Sequence, residues 1–293
     1  MSGVSSQKAS YGSDMLYKWL IKLLEYVDIK VLYVFTSVFI IPFTLVLSRG
    51  ARITFHYYYR IRGYGKAKSL VMTYRNHCLF AQTVIDKFAM YAGKSFRINI
   101  IDDDEYKSTT NRPQALLQLS AHIGCSEILG YSYKPNKKCN VLAYGGEQQG
   151  LMNYRNESFN KMNIHIIPVG TSEPHTDEIV NAFERGEIIC AFADRYFNRE
   201  KVISSAIFGR AINYSRSVLS LATTRGVDVI MASAMKENNG SYTAFFTALR
   251  YDRNATQKQQ RQQLADAYSK EIERLMEKYP EQWFNYFNSW KDS

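Results

Sequence analysis

A histidine and a glutamate that follow a predicted strand are the first candidates for chemistry. They lie in the segment Ser-Ala-His-Ile-Gly-Cys-Ser-Glu, as His122 and Glu127. Residues five apart on a regular helix point about 140° away from each other, so the pair meets only if His122 ends the strand and Glu127 begins a helix after Gly124. A carboxylate there would fix the imidazole tautomer and raise the basicity of the other nitrogen. The spacing favours His122 as a general base, and a histidine that only satisfies a turn is the competing interpretation.

A second pair of polar residues also follows an apolar strand. Asp194 and Arg195 come directly after the segment Ile188 to Ala193. In open α/β sheets, ligands bind outside the carboxyl ends of the strands, so this pair is a candidate for substrate binding. A plain salt bridge at the rim of the sheet is the alternative.

The cysteines indicate neither a metal site nor disulfides. Cys78, Cys125, Cys139 and Cys190 lie far apart, without a Cys-x-x-Cys pair or a histidine at zinc-ligand spacing. Cys125 lies inside the His122 segment, where the imidazole and a helix N-terminus would activate a thiolate, so it is a competing nucleophile. A serine hydrolase is disfavoured, because Gly-Cys-Ser-Glu-Ile lacks the second glycine of a nucleophile elbow.

Residues 66–92 have a helical pattern that ends at Gly93, and strands and helices alternate from residue 96 onwards. The segments predicted as strands are 96–101, 115–120, 141–144, 164–169, 188–193, 227–232 and 242–249, and those predicted as helices are 126–133, 148–160, 176–185, 215–225 and 257–279. This order predicts an α/β fold with a mostly parallel central sheet, helices on both faces and one continuous core.

The N-terminal region, residues 1–65, is predicted to associate with a membrane, and residues 66–293 to form the catalytic domain. Residues 14–28 have the apolar spacing of an amphipathic helix, and residues 31–48 form an uncharged apolar run interrupted by Pro42. Eighteen residues are barely enough to span a bilayer, so full spanning and shallow insertion stay open, beside a buried core helix. The aromatic residues Phe55, Tyr57, Tyr58 and Tyr59 fit an interfacial belt.

Charge placement favours a lipid surface over nucleic acid. Of the 37 Lys and Arg residues that give a net charge of +10, seven lie between residues 49 and 75, where there is no acidic residue. By the positive-inside rule, this stretch places the remainder of the chain on the cytoplasmic side. It also attracts anionic lipids, while no nucleic-acid-binding motif is present. The 46% apolar content excludes disorder, collagen and coiled coils.

Four motifs together resemble the lysophospholipid acyltransferase superfamily. They are the Ser-Ala-His-x-Gly-x-x-Glu segment, the Asp-Arg pair, the Phe-Gly segment at residues 207–210 and the closing Tyr-Pro-Glu-Gln-Trp at residues 279–283. The branch that the chain resembles most contains late lipid A acyltransferases and phosphatidylinositol mannoside acyltransferase. The resemblance implies a glycerolipid acyltransferase-like fold.

The resemblance also implies an activity and a location. A fatty acyl group moves from a thioester of acyl carrier protein or coenzyme A to a lipid acceptor, on the cytoplasmic face of a bacterial inner membrane. No cofactor is needed beyond the donor's own phosphopantetheine. His122 takes the position of the catalytic base and Glu127 that of its charge partner, while Asp194 and Arg195 fall on the second acidic-basic block. Arg155 is a loose candidate for headgroup or donor contact.

The mechanism expected from these residues is direct transfer without an acyl-enzyme. Main-chain N–H groups near Gly124, or a basic side chain such as Arg195, would stabilise the oxyanion. The chain departs from the family after Phe208-Gly209, where the usual prolines and Gly-Pro are missing. This departure leaves the acceptor open among lipid A, an amino-acid lipid and a pigment precursor. It also motivates the alternative of an inactive membrane scaffold or carrier-protein docking module.

Overall fold

The computed structural model describes residues 19–101, 104–132, 135–144, 159, 163–170, 175–196, 201–287 and 290. Helix 19–26 leads into α1 (Ile29–Leu47), which begins at the N-cap Asp28. Pro42 has no N–H to donate, and the turn before it, Thr36–Ile40, widens into a π-helix. The predicted helix 14–28 is confirmed for residues 19–26 and ends two residues earlier than predicted, whereas residues 14–18 lie outside the described residues.

Two further helices follow. α2 (Arg49–His56) starts at the N-cap Ser48 and continues as a π-helical turn, Tyr57–Ile61. α3 (Lys66–Tyr91) is the longest helix and ends before Gly93, as predicted. α1 and α2 both pack against α3.

The central sheet has seven strands in the order β1-β9-β8-β2-β5-β3-β4. Their bounds are β1 (Ile98–Ile101), β2 (Leu116–Ser120), β3 (Cys139–Tyr144), β4 (Ile164–Val169), β5 (Ile188–Phe192), β8 (Asp228–Lys236) and β9 (Tyr242–Ala248). Every pair is parallel except β8 with β9. The predicted α/β class and mostly parallel sheet are therefore confirmed.

Among the described residues, five helices follow or separate the strands. They are α4 (Asp104–Thr110), α5 (Glu127–Ser132), α6 (Thr176–Glu184), α7 (Arg216–Thr223) and α8 (Gln257–Lys278). Residue 256 opens α8 with a capping box, in which the Thr256 and Gln259 side chains exchange hydrogen bonds with each other's main chain. The predicted helix 148–160 falls outside the described residues except for Phe159, and α4 was not predicted.

A hairpin that the sequence did not predict packs against α8. It consists of β6 (Val202–Ile207) and β7 (Arg210–Ser215). Phe208 and Gly209 both have positive φ angles, 52° and 71°, as a two-residue type I′ turn requires. The Phe208 N–H donates to the Glu273 carboxylate of α8. The Phe-Gly motif is thus a hairpin turn in this chain.

The N-terminal region shares its core with the rest of the protein. Tyr57 and Tyr58 are 1% and 0% exposed and belong to the main core cluster, where Tyr57 stacks on Trp290. The prediction that these two tyrosines form an interfacial belt is therefore wrong, because their rings fill the space between α2 and the C-terminal segment. Tyr59 is exposed. The division at residue 65 does not separate two cores.

Candidate active site

The register of two neighbouring parallel strands brings His122 and Asp194 together. β2 and β5 pair Ser120 with Phe192, so the residues two positions further along each strand lie side by side. Both residues are at the carboxyl ends of their strands, where the ladder stops and side chains are free to face a ligand. The two polar positions that the sequence singled out separately thus form one site.

Asp194 holds the imidazole of His122 in one orientation. His122 Nδ1 lies 2.9 Å from Oδ1 and 3.0 Å from Oδ2 of Asp194, and the His122 main-chain N–H donates to Oδ2 at 2.7 Å. Burial alone would raise the pKa of Asp194, but His122 and then Arg195 outweigh it and lower that pKa. An ionised carboxylate accepts the Nδ1 proton and leaves the lone pair on Nε2. In the described part of the chain, Nε2 has no hydrogen-bond partner, and the His122 side chain is 27% exposed.

Glu127 takes a different partner from the predicted one. Its carboxylate pairs with Lys87 of α3, with Lys87 Nζ 3.0 Å from Oε2. The prediction that Glu127 holds an imidazole nitrogen is corrected, because Glu127 begins α5 and faces α3, whereas β5 places Asp194 beside the imidazole. A catalytic role for Glu127 stays a prediction, since its side chain lines the same cavity as His122.

Gly124 turns the chain between the strand and α5. Its φ angle is +61°, and an added Cβ would lie 2.2 Å from the Ala234 carbonyl oxygen, so only glycine fits. Its N–H donates to the Gln282 carbonyl and the Cys125 N–H to the Ala234 carbonyl, each at 2.8 Å. These two N–H groups are therefore already occupied, and oxyanion stabilisation by other main-chain N–H groups near Gly124 stays a prediction. Gly124 still lines the cavity.

The two arginine candidates have different outcomes. Arg195 is exposed and lines the cavity beside His122, which leaves it as the predicted partner of an oxyanion. Arg155 lies outside the described residues. The sequence missed Lys87, whose partner Glu127 is 40 residues away, and no local spacing signals such a contact.

Cys125 is unsuited to nucleophilic attack. Its side chain is buried, and burial, with the nearby Glu127 carboxylate, raises the pKa of its thiol to about 12. A thiol needs its ionised form to act as a nucleophile, so at neutral pH this one is inert. Among the described residues, no cluster of three or more His, Cys, Asp or Glu side chains could hold a metal ion.

An apolar cavity of about 980 Å³ opens at His122. Its floor is one face of the sheet. Gln118 and Ser120 line it from β2, and Cys190 lies beside Gln118 on β5. From His122 to Gln118 the wall runs about 13 Å along the strand. The apolar part of the wall includes Leu129, Val141, Ile164, Phe192, Phe246 and Phe284. A volume at the upper end of the range for ligand pockets, with few polar groups at one end, suits a long apolar ligand.

The sequence matches one known family. A family model described as "Bacterial lipid A biosynthesis acyltransferase" matches residues 95–292, more than half of the chain. A search of curated proteins finds no match. Among solved structures, the chain is similar to the 1-acyl-sn-glycerophosphate (LPA) acyltransferase PlsC from Thermotoga maritima, at 12% identity and a TM-score of 0.36, over 89% of this chain and 94% of that one.

Proposed function

Because the chain belongs to the bacterial lipid A biosynthesis acyltransferase family, we propose that it moves a fatty acyl group from an acyl thioester to a hydroxyl or amine of a lipid acceptor. The family establishes a lipid acyltransferase. The observation that carries the finer proposal is the His122–Asp194 pair at the end of a deep apolar cavity. The scaffold alternative is not favoured, because the pair is intact.

The proposed reaction proceeds by general-base catalysis. His122 Nε2 removes the proton of the acceptor hydroxyl or amine while its oxygen or nitrogen attacks the thioester carbonyl. Asp194 stabilises the imidazolium that forms, and the Arg195 guanidinium faces the oxyanion of the tetrahedral intermediate. The intermediate then expels the donor thiolate, which receives from Nε2 the proton that came from the acceptor, so the donor leaves as a thiol and His122 is neutral again. This scheme needs no acyl-enzyme, in keeping with a Cys125 thiol that stays protonated.

The cavity is the proposed site of the fatty acyl chain. The acyl chain would lie along β2 and β5, on the face of the sheet where His122 also lies. Its thioester carbonyl carbon would then lie near His122 Nε2, at the mouth of the cavity. Burial of each CH₂ group contributes about 0.8 kcal/mol, so a long chain binds strongly without polar contacts. The donor headgroup, either acyl carrier protein or coenzyme A, then stays outside, and both carry the negative charge that a basic protein attracts.

α1 is proposed to insert into one leaflet of a membrane without spanning it. Within the described residues it is the stretch long and apolar enough to cross a bilayer, yet it packs along α3 over its whole length. Tyr74 of α3 donates to the Ser37 carbonyl at 3.0 Å, and Tyr33 reaches Asp86. A spanning α1 would pull α3, with Arg75 and Lys87, into the hydrocarbon at high cost. The face of α1 away from α3 is exposed and apolar, with Val31, Val34, Phe35, Val38, Phe39, Phe43, Val46 and Leu47.

Basic residues flank this apolar face and favour an anionic bilayer. Arg49, Arg52 and Arg60 are exposed after α1, and Lys66 and Lys68 are exposed at the start of α3. Each lysine or arginine near an anionic surface contributes about 1 kcal/mol to binding. Because positively charged segments next to apolar helices tend to stay on the cytoplasmic side, this charge supports a position at the cytoplasmic face of the inner membrane.

The reaction is tested by transfer of labelled acyl chains of several lengths into a bacterial lipid extract. Acyl carrier protein and coenzyme A thioesters are compared, and wild-type protein is compared with His122→Ala. We expect a new labelled lipid with wild type and a rate lower by roughly 10²-fold or more with the variant. Equal label in both proteins would remove His122 from the mechanism, and no label with any donor or extract would favour the scaffold.

The membrane proposal is tested with nitroxide labels at Val31, Phe39 and Leu47 in vesicles, with Gln263, an exposed residue of α8, as the control. In-plane insertion gives three similar shallow depths, because all three side chains lie on the same exposed face. A spanning helix would place Phe39 deepest and the two ends near opposite surfaces. Vesicles with and without anionic lipid separate the contribution of the basic residues.

A further inference from the structure

The C-terminal segment 281–287 packs against the turn at residues 122–124, which carries His122. Trp283 forms an antiparallel bridge with Ile123, and the Gln282 carbonyl accepts from the Gly124 N–H. The Phe284 N–H donates to the His122 carbonyl at 2.7 Å. The main chain of His122 is therefore held on both sides, by Phe284 at its carbonyl and by the Asp194 carboxylate at its N–H.

Side chains along this segment alternate between the cavity and the interior. Phe284 and Tyr286 line the cavity, while Asn285 between them is 1% exposed. Asn285 Nδ2 donates to the main-chain carbonyl of Asp194 at 3.2 Å. The Phe287 N–H donates to Asn285 Oδ1 at 3.3 Å, which fixes the amide with its NH₂ group toward Asp194.

We propose that Asn285 is a positioning residue for the His122–Asp194 pair. It holds the peptide group of Asp194 beyond the end of β5, where the strand ladder no longer does so. The preceding carbonyl, that of Ala193, is held by the Ser215 N–H at 2.9 Å, so the carbonyls of both residues that follow β5 are held. The inference rests on the proposed function for its consequence in catalysis.

The physical reason is the narrow geometry that the Asp194 carboxylate must keep. It serves two donors of one residue, the N–H and the Nδ1 of His122. A rotation of the Asp194 peptide by a few tens of degrees would break one of these contacts and release the ring. Misplacement of a catalytic group by about 1 Å costs up to 10²-fold in rate.

The chain offers a matched control for Asn285. Asn140 is also 1% exposed, and its Nδ2 donates to the Ile188 carbonyl at 3.3 Å and to the Glu187 carboxylate at 2.9 Å. Ile188 is the first residue of β5, whereas Asp194 lies two residues beyond its last. Asn285→Ala and Asn140→Ala therefore each remove an amide donor from the main chain at one end of the same strand, and only Asn285→Ala removes it at Asp194.

The experiment measures kcat, KM and the His122 ring proton of the full chain in detergent. For Asn285→Ala we expect kcat to fall about 10- to 100-fold with KM for donor and acceptor unchanged, and for Asn140→Ala both to stay within about twofold. In ¹⁵N-histidine NMR spectra, the Nδ1–H signal that His122→Gln removes should be retained in Asn140→Ala and lost or shifted upfield in Asn285→Ala.

Equal kcat values and equal Nδ1–H signals in the two variants would overturn the proposal. If wild type transfers no acyl group, the proposed function fails while the NMR comparison still decides whether Asn285 positions the ring. Should Asn285→Ala not fold, Asn285→Leu keeps the side-chain volume without the amide, and Asn140→Leu is its control.

Discussion

Two buried carboxylates of this protein, Asp194 and Asp86, each pair with a basic side chain. The two pairs differ in whether the basic side chain is open to the cavity or enclosed by protein. In the first, His122 is 27% and Asp194 3% exposed, and the imidazole faces the cavity. In the second, Lys236 of β8 and Asp86 of α3 are 2% and 0% exposed. A pair that leaves one basic nitrogen open can exchange a proton with a ligand, whereas an enclosed pair can only hold elements together.

The Lys236–Asp86 pair joins the N-terminal helices α1 and α3 to the sheet. Asp86 also accepts from the hydroxyls of Tyr33 on α1 and Tyr242 on β9, and Lys236 Nζ lies 3.0 Å from the Tyr33 hydroxyl. Burial lowers the pKa of Lys236, although Asp86 opposes this effect. Four polar groups thus satisfy one another inside the protein, with no surface left for a substrate.

The largest expected effect on kcat distinguishes Asp194 from Glu127, the two carboxylates near His122. Asp194→Asn should lower kcat by about 10³-fold or more, because an amide in its place leaves the imidazole in the wrong tautomer. Glu127→Gln should lower kcat far less, because Lys87 is its partner. Steady-state kinetics of both variants check this. A larger loss with Glu127→Gln would restore the pairing predicted from the sequence.

Breaking the Lys236–Asp86 pair should lower the stability of the protein and leave its kcat nearly unchanged. Asp86→Ala leaves Lys236 buried and uncompensated, which costs about 3–5 kcal/mol of the free energy of unfolding. The double variant Asp86→Leu/Lys236→Met should recover much of this loss, because it removes both charges. Denaturant unfolding gives the free energies, and kcat per folded molecule should stay within about twofold. A loss of kcat with unchanged stability would mean that the Lys236–Asp86 pair takes part in catalysis.

The contribution of the His122–Asp194 pair to the free energy of unfolding should depend on pH. Folding lowers the pKa of Asp194 below its ordinary value of 3.8, so its contribution to the free energy of unfolding is fully present above that pH. The contribution is lost as the pH falls through the lower, folded-state pKa. The difference in unfolding free energy between wild type and Asp194→Asn should therefore shrink below pH 3.8. A difference that grows on acidification would contradict the lowered pKa.

The smallest effect concerns the contact between α1 and the Lys236–Asp86 pair. Tyr33→Phe removes one hydroxyl from Asp86 and Lys236 and should cost about 1–2 kcal/mol. Tyr26→Phe, at a residue that is 79% exposed, is the control and should cost nothing measurable. Thermal unfolding of the two variants provides the comparison, and equal melting temperatures would show that Tyr33 does not anchor α1.

Local sequence predicted the elements that have strong periodic or apolar patterns. The strand Ile164–Val169 has the predicted bounds, and α3 and α8 end within a residue or two of theirs. The hairpin β6–β7 was missed because polar residues interrupt its strands and its turn is Phe-Gly. The Lys236–Asp86 pair was missed as well, since 150 residues separate Asp86 from Lys236.

The sequence by itself determined the class of fold, the family resemblance and the position of His122 at a strand end, because each depends on neighbours along the chain. Only the tertiary structure decided which carboxylate holds the imidazole. Asp194 is 72 residues from His122, and the two meet because β2 and β5 are adjacent with Ser120 beside Phe192. Strand order and register arise from packing between distant segments, so the nearer Glu127 was the wrong partner for a physical reason that spacing cannot reveal.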